Sequence, residues 1–163
     1  MSRIPLADLD PQTRLRKLNV LRLLANAPRV FPGWIQMVEE IFASPTFDPR
    51  LREVIILRVA HLQDSPYELG QHRLMARNAG LAERQIQNIC GAGDLDDAGF
   101  TSTERAAMDV VTELCNTHRL ADESFAAAHT VFGDEALTEL LMIVSCYFGL
   151  ALVLNAADPE VDA

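Results

Sequence analysis

The stretch 52-REVIILRVAHLQDSPYELGQHRLMARNAG-80 carries most of the information about the fold. It begins inside a run from about Pro49 to Leu62 that is apolar on almost every side, and a helix of that kind belongs in the centre of a bundle. The β-branched residues of the run could indicate a strand, but the run is too long for one. Ser65-Pro66 then starts a second helix, because serine is a common N-cap and proline fits the first turn. Gly80 ends that helix in the position that follows the C-cap.

Similar start and stop signals recur in the rest of the chain. Large apolar residues from Phe31 to Phe42 follow helical spacing and predict an amphipathic helix. Thr101 and Glu104 form a capping box. Asp122 starts a helix that ends near Gly133, and a separate, very apolar helix follows from about Glu135 to Asn155. Strand signals are weak, so the sequence predicts an all-α protein, a compact bundle of about eight helices.

The domain organisation is simple. We expect one domain over residues 1–163, with a core at about 28–155 and a frayed tail at 156–163. Asp10-Pro11 should start the first helix, and 91–100 should be the longest loop. The helices at 49–62 and 135–155 should be buried on all sides. The apolar residues of the last helix exceed what one stripe needs, so we also expect association between subunits.

The composition disfavours several classes of partner. The formal net charge is −9 and the 14 basic residues are scattered, whereas nucleic-acid binding needs clustered Lys and Arg. The N-terminal residues lack the apolar core of a signal peptide. The longest apolar run, Leu140 to Leu154, is too short to span a membrane. We therefore expect a cytoplasmic protein that binds neither nucleic acid nor membranes.

Three residues of the central stretch could carry acid–base chemistry. Glu68 and His72 are four residues apart and share one face of their helix. Glu53 lies on the preceding apolar helix, where a carboxylate needs an explanation. If the two helices pack as an antiparallel pair, Glu53 and His72 differ in height by roughly 6 Å, a gap that their side chains can bridge.

Structural roles are open for the same residues. Ser65-Pro66-Tyr67-Glu68 is itself a capping box, in which Glu68 would only satisfy the Ser65 amide. Glu53 could instead stabilise the N-terminal turn of its helix, because a negative charge there interacts favourably with the helix dipole. A single histidine on a helix is more often an ordinary residue than a catalyst, and His61 is expected to be structural or exposed.

The pattern of these residues resembles the carboxymuconolactone decarboxylase and AhpD-like family. The resemblance rests on Arg52-Glu53, Leu57 to Ala60, Tyr67-Glu68, Gln71-His72 and Ala76 to Leu81. The peroxidase branch of the family has the pattern E-x11-C-x2-C-x3-H. On this chain, that pattern places its acid on Glu53 and its histidine on His72. It implies an AhpD-like helical fold and assembly into trimers or hexamers.

The two cysteine positions of that pattern fall on Ser65 and Glu68. Peroxide reduction by thiols needs a reactive thiolate and a nearby resolving thiol, so we expect no such activity despite the peroxiredoxin-like character of the family. The chain has three cysteines, none of which stands in the motif or forms a C-x-x-C pair: Cys90, Cys115 and Cys146.

The resemblance favours a cofactor-free lyase, a decarboxylase acting on a small organic acid or lactone. His72 would be the acid, Glu68 its orienting partner and Glu53 a second carboxylate, with Tyr67 and Ser65 binding the substrate. Arg58 and Arg73 are candidates for binding an anionic group.

Two other functions remain open from the sequence. Glu53, Glu68, His72 and His61 could hold a metal ion, although no second Glu-x-x-His motif is present and we expect none. Alternatively, the chain is a non-catalytic oligomeric module.

Overall fold

The protein is described here by a computed structural model that covers residues 2–9, 17–91 and 99–162. Within these ranges it contains helices and no strands, as predicted. The helices are α1 (Asn19–Leu24), α2 (Phe31–Ala43), α3 (Pro49–Leu62), α4 (Pro66–Asn78), α5 (Glu83–Ile89), α6 (Ser102–Thr117) and α7 (Asp122–Ala157). The predicted start at Asp10-Pro11 and most of the predicted loop at 91–100 lie outside the described residues.

Helix α3 forms the centre of the structure, as its sequence predicted. It packs against α4, α6 and α7, and its residues Val54 to Leu57 are fully buried. Asp48 caps it by accepting a hydrogen bond from the Leu51 amide at 2.8 Å. At the other end Asp64 adopts a left-handed φ of 47°, which reverses the chain into α4. The two helices thus form the predicted antiparallel pair.

Seven helices are found in the described part of the chain rather than about eight, because the last two predicted helices meet directly at a kink and are counted together as α7. Gly133 has non-helical angles, with φ at 68°, so α7 consists of two helical segments that meet across a kink at the predicted position. Asp122 does not cap this helix. Instead, the Ala121 amide before it donates to the Glu113 carboxylate at 2.7 Å.

Helix α7 also has an exposed apolar face, contrary to the expectation that it is buried on all sides. Met142, Leu152 and Val153 lie on this face, and Leu152 is 57% exposed. By length and composition α7 could cross a membrane, and 50% of its most apolar window is buried inside the bundle. A core helix of a soluble protein passes the same test, so this is weak evidence for a membrane span.

The C-terminal tail is ordered by contacts with the bundle. Ala156 and Ala157 are still helical, and Asp158 ends α7 in a left-handed conformation. The residues that follow are irregular, but Asp162 accepts a hydrogen bond from the Asn19 amide at 3.0 Å. The Glu160 carbonyl accepts a second one from the Asn19 side chain. The tail was expected to be frayed, and these contacts, between residues more than 140 positions apart, hold it in place.

Candidate active site

The antiparallel pairing of α3 and α4 brings Glu53 and His72 together. Nδ1 of His72 lies 2.8 Å from Oε2 of Glu53, and both side chains are buried. The roughly 6 Å difference in height expected from the helical rise is therefore bridged directly. An ionised carboxylate only accepts hydrogen bonds, so Nδ1 carries a proton in this pair and Nε2 is the ring nitrogen left for another partner.

His72 lines a cavity of about 370 Å³ between α2, α4, α7 and the residues around the start of α1. This volume suits a small organic molecule. Most of the wall is apolar, and it consists of Leu18, Val20, Leu21, Trp34, Ile35, Val38, Phe42, Met75, Leu150 and Leu154. The remaining lining residues have polar groups, and they are Glu39, Tyr67, Glu68, Gln71, His72 and Tyr147.

Glu68 is a buried carboxyl group that also lines this cavity. Its exposed fraction is only 2%. The Ser65 hydroxyl is close enough to interact with it, but neither Glu68 oxygen has a hydrogen bond of normal geometry within the described residues. Burial raises the pKa of Glu68 to about 7, and the nearby Ser65 hydroxyl opposes this increase only in part. Near neutral pH, much of this side chain is therefore a neutral acid that can donate a proton or a hydrogen bond.

The capping alternative for Glu68 is wrong in this structure. The Ser65 amide, which Glu68 would satisfy in a capping box, donates to the Ala60 carbonyl at 2.9 Å instead. Helix α4 has no side-chain cap. A buried carboxylate without a partner is costly, so its position in the cavity wall indicates a role other than starting the helix.

Tyr147 is a fourth polar residue of the site that the sequence analysis missed. Its ring lies edge-on to the His72 ring, with centroids 5.2 Å apart. Burial raises the pKa of Tyr147 well above its ordinary value, and the neighbouring Cys146, Glu53 and Glu68 raise it further. Its phenol stays protonated and is a hydrogen-bond donor. The signal for it was a tyrosine in the most apolar helix, where a buried hydroxyl needs a partner.

Tyr67 and Ser65, the predicted substrate-binding residues, are placed differently from expectation. Tyr67 lines the cavity, but its hydroxyl donates to Asp162 and accepts a hydrogen bond from the Val20 amide at 3.0 Å. Burial, together with Asp162, raises the pKa of Tyr67 above its ordinary value. Ser65 is fully buried beneath α4 and is absent from the cavity wall.

Neither of the predicted arginines reaches the cavity. Arg58 points to the opposite side of α3, where it donates to Thr112 at 3.0 Å and to the Ile89 carbonyl at 3.2 Å. Arg73 is exposed on α4. His61, the possible fourth metal ligand, is also outside the cavity wall. Among the described residues, no three His, Cys, Asp or Glu side chains are grouped to hold a metal ion.

The cysteines lie in surroundings that favour the protonated thiol. Burial raises the pKa of all three, and that of Cys146 reaches about 11, with the Glu68 carboxyl adding to the effect. None of the three is disulfide-bonded. A thiol is a much weaker nucleophile than a thiolate, so these environments do not suit peroxide reduction.

Comparison with known proteins agrees with the helical architecture. The family model for the carboxymuconolactone decarboxylase family matches residues 28–113, more than half of the chain. No curated protein sequence matches significantly.

Solved structures with the same fold come from three bacteria. A peroxidase-related protein from Silicibacter sp. has a TM-score of 0.85 and 15% identity, over 99% of this chain and 92% of that one. An AhpD-core, peroxidase-related protein from Ralstonia eutropha has a TM-score of 0.84 and 18% identity, over 98% and 92%. A protein of unknown function from Agrobacterium tumefaciens, named as an AhpD-type antioxidant defence protein, has a TM-score of 0.74 and 20% identity, over 85% and 95%.

Proposed function

Because this chain belongs to the carboxymuconolactone decarboxylase family, we propose that it is a cofactor-free lyase that removes CO₂ from a small organic acid or carboxylated lactone. The observation that carries the proposal is the buried Glu68 carboxyl in the same apolar cavity wall as His72, whose Nδ1 atom is paired with Glu53 behind the wall. A buried neutral acid beside a histidine that a carboxylate orients is typical of acid–base catalysis.

The reaction needs an electron acceptor and a proton donor. When the carbon–carbon bond to the carboxylate breaks, CO₂ leaves and the bonding electrons move into the adjacent carbonyl, giving an enolate. Neutral Glu68 and the Tyr147 phenol can donate hydrogen bonds to the enolate oxygen as its charge develops. His72 then protonates the carbon from Nε2, while Glu53 holds the ring and stabilises the imidazolium. Solvent returns the proton to His72, so each CO₂ released consumes one proton.

The apolar wall assists the same step. A carboxylate is strongly hydrated, whereas the enolate that follows spreads its charge over several atoms. Removing water from the reacting carboxylate therefore disfavours the ground state more than the transition state. An arginine against that carboxylate would have the opposite effect, and none lines this cavity in the described residues.

The test is a screen of β-keto acids and carboxylated lactones for CO₂ release, followed by product analysis in D₂O. Turnover should place one deuterium on the carbon that lost CO₂. His72→Ala and Glu68→Gln should lower the rate by about 10² to 10⁴ if they transfer or donate protons. Glu40→Gln, a change of an exposed residue on the far side of α2, is the matched control. Folded variants that retain wild-type rates would instead support a binding or structural module.

We also propose that the chain self-associates, as its family resemblance implies. The exposed apolar face of α7 continues into a groove between α7 and α2 that Val30, Phe31 and Val153 help to line. An apolar surface of this kind is typical of an interface between subunits. Trimers or hexamers are the expected assemblies, and light scattering measures them directly.

A further inference from the structure

The described part of the cavity wall contains no Lys or Arg, which restricts the substrate. In the described part of the wall there are two carboxyl groups, Glu68 and the exposed Glu39 on α2, and no Lys or Arg. Arg52 is buried nearby, but its guanidinium lies 4.6 Å from the centre of the Phe42 ring and faces carbonyls at the end of α2. His72 can become a cation in the mechanism, but a second carboxylate on a bound molecule would find no Lys or Arg among the described lining residues.

From this lining we infer that the substrate has a hydrophobic body and at most one carboxylate, the one that is lost. The inference rests on the proposed lyase function and specifies its substrate class. The hydrophobic body would lie against the apolar wall from α2 and α7, for which Trp34, Phe42 and Leu150 provide large surfaces. The carbonyl and the single carboxylate would face Glu68, His72 and Tyr147.

The protonation of Glu68 makes the inference testable through pH. The other titratable groups around Glu68 are Glu39 on α2, Glu53 on α3, His72 on α4, and Cys146 and Tyr147 on α7. When Glu68 is protonated, it can donate a hydrogen bond to a ligand carboxylate. When it is ionised, it repels that group. A monocarboxylate should therefore bind less tightly as pH rises through about 7, and a neutral ligand should not.

The single tryptophan provides a signal for binding that does not depend on turnover. Trp34 lines the cavity, so its fluorescence should change when a ligand enters. A suitable series is γ-phenyl-γ-butyrolactone, its β-carboxylate, and the dicarboxylate in which a carboxymethyl group replaces the phenyl ring. All three keep one lactone carbonyl and differ in charge and apolar surface.

We expect the neutral lactone and the monocarboxylate to bind about 100-fold more tightly than the dicarboxylate at pH 6, because an unpaired charge is costly in an apolar cavity. Between pH 6 and 8, the monocarboxylate should lose about tenfold in affinity, in line with the protonated fraction of a group of pKa about 7. The neutral lactone should be unaffected, and Glu68→Gln should make the monocarboxylate profile flat.

A charge reversal at the rim tests the same idea from the protein side. Glu39→Lys adds a cation at the cavity, and because Glu39 is exposed the fold should tolerate it. This variant should raise the affinity for the dicarboxylate about tenfold or more. Glu40→Lys makes the same change on the adjacent residue, which is outside this cavity, and should have little effect.

Equal or tighter binding of the dicarboxylate by the wild type would overturn the inference, as would the absence of binding by all three compounds at millimolar concentration. The proposed function fails separately. An apolar monocarboxylic β-keto acid that binds without releasing CO₂ would refute the lyase and leave the substrate class intact. Turnover confined to dicarboxylates would refute the substrate class and leave the lyase function intact.

Discussion

Glu68→Gln should change how the stability of the protein depends on pH. An ordinary glutamate has a pKa of 4.5, and burial raises that of Glu68 to about 7 in the folded state. Between these two values the folded chain holds a proton that the unfolded chain has released. Because the unfolded state then binds fewer protons, stability falls as pH rises from about 4.5 to 7. Glu68 thus makes its full stabilising contribution below pH 4.5 and none above about pH 7.

The size of the effect follows from the two pKa values. Their difference corresponds to about 3 kcal/mol over the whole range, of which about 2 to 3 kcal/mol falls between pH 5 and pH 8. Glu68 is almost completely buried, so solvent screening reduces this figure little. The glutamine amide has its own burial cost of about 1 to 3 kcal/mol. That cost is the same at both pH values and does not alter the difference between them.

The assay is urea unfolding, followed by circular dichroism at pH 5 and pH 8 with the protein concentration held constant. The variant should gain about 2 to 3 kcal/mol relative to the wild type between the two conditions. Glu40→Gln, on an exposed surface, should show the same difference from wild type at both pH values. If Glu68→Gln and the wild type have parallel pH dependences, Glu68 has an ordinary pKa. The neutral acid on which the mechanism depends would then be absent.

Three further results are expected. Asp162→Ala should destabilise the protein by about 1 kcal/mol in urea unfolding, because the Tyr67 hydroxyl loses its partly buried acceptor. An unchanged stability would mean that the tail does not hold this contact in solution. Leu152→Glu, which places a charge on the exposed apolar face of α7, should reduce the mass measured by light scattering toward 18.0 kDa; a wild-type protein that is already monomeric would contradict the proposed assembly. Peroxide reduction with a dithiol donor should stay at background. Replacement of all three cysteines by serine should leave CO₂ release largely intact, apart from losses in packing. Robust peroxidase turnover that one of these replacements abolishes would refute the exclusion of thiol chemistry.

Much of the fold could be predicted because its signals are local. The bounds of α3 were predicted from its apolar composition, and they agree with the structure. The Thr101–Glu104 capping box forms as expected, with hydrogen bonds of 2.7 and 3.1 Å. The meeting of Glu53 and His72 followed from the helical rise and a tight connection between two helices. Each of these depends on residues close together in sequence.

The features that could not be predicted depend on distant residues. Tyr67 and Asp162 are 95 positions apart, and no local sequence pattern predicts that the Tyr67 hydroxyl donates a hydrogen bond to Asp162. Arg58 was a candidate for anion binding, but the orientation of α3 directs its side chain toward α6, where it donates a hydrogen bond to Thr112.

The exchange of cysteines for Ser65 and Glu68 is consistent with the physics of this cavity. Burial disfavours every anion. It raises the pKa of the Glu68 carboxyl, in the cavity wall, to about 7, and that of the nearby Cys146 thiol, outside this wall, to about 11. The same burial thus has opposite consequences for the two chemistries. A thiol under these conditions loses the thiolate that peroxide reduction requires, whereas a carboxylic acid gains the neutral form that can donate a proton near pH 7. A carboxylic acid at this position makes use of an apolar cavity, whose described wall has no Lys or Arg to stabilise a thiolate in its place.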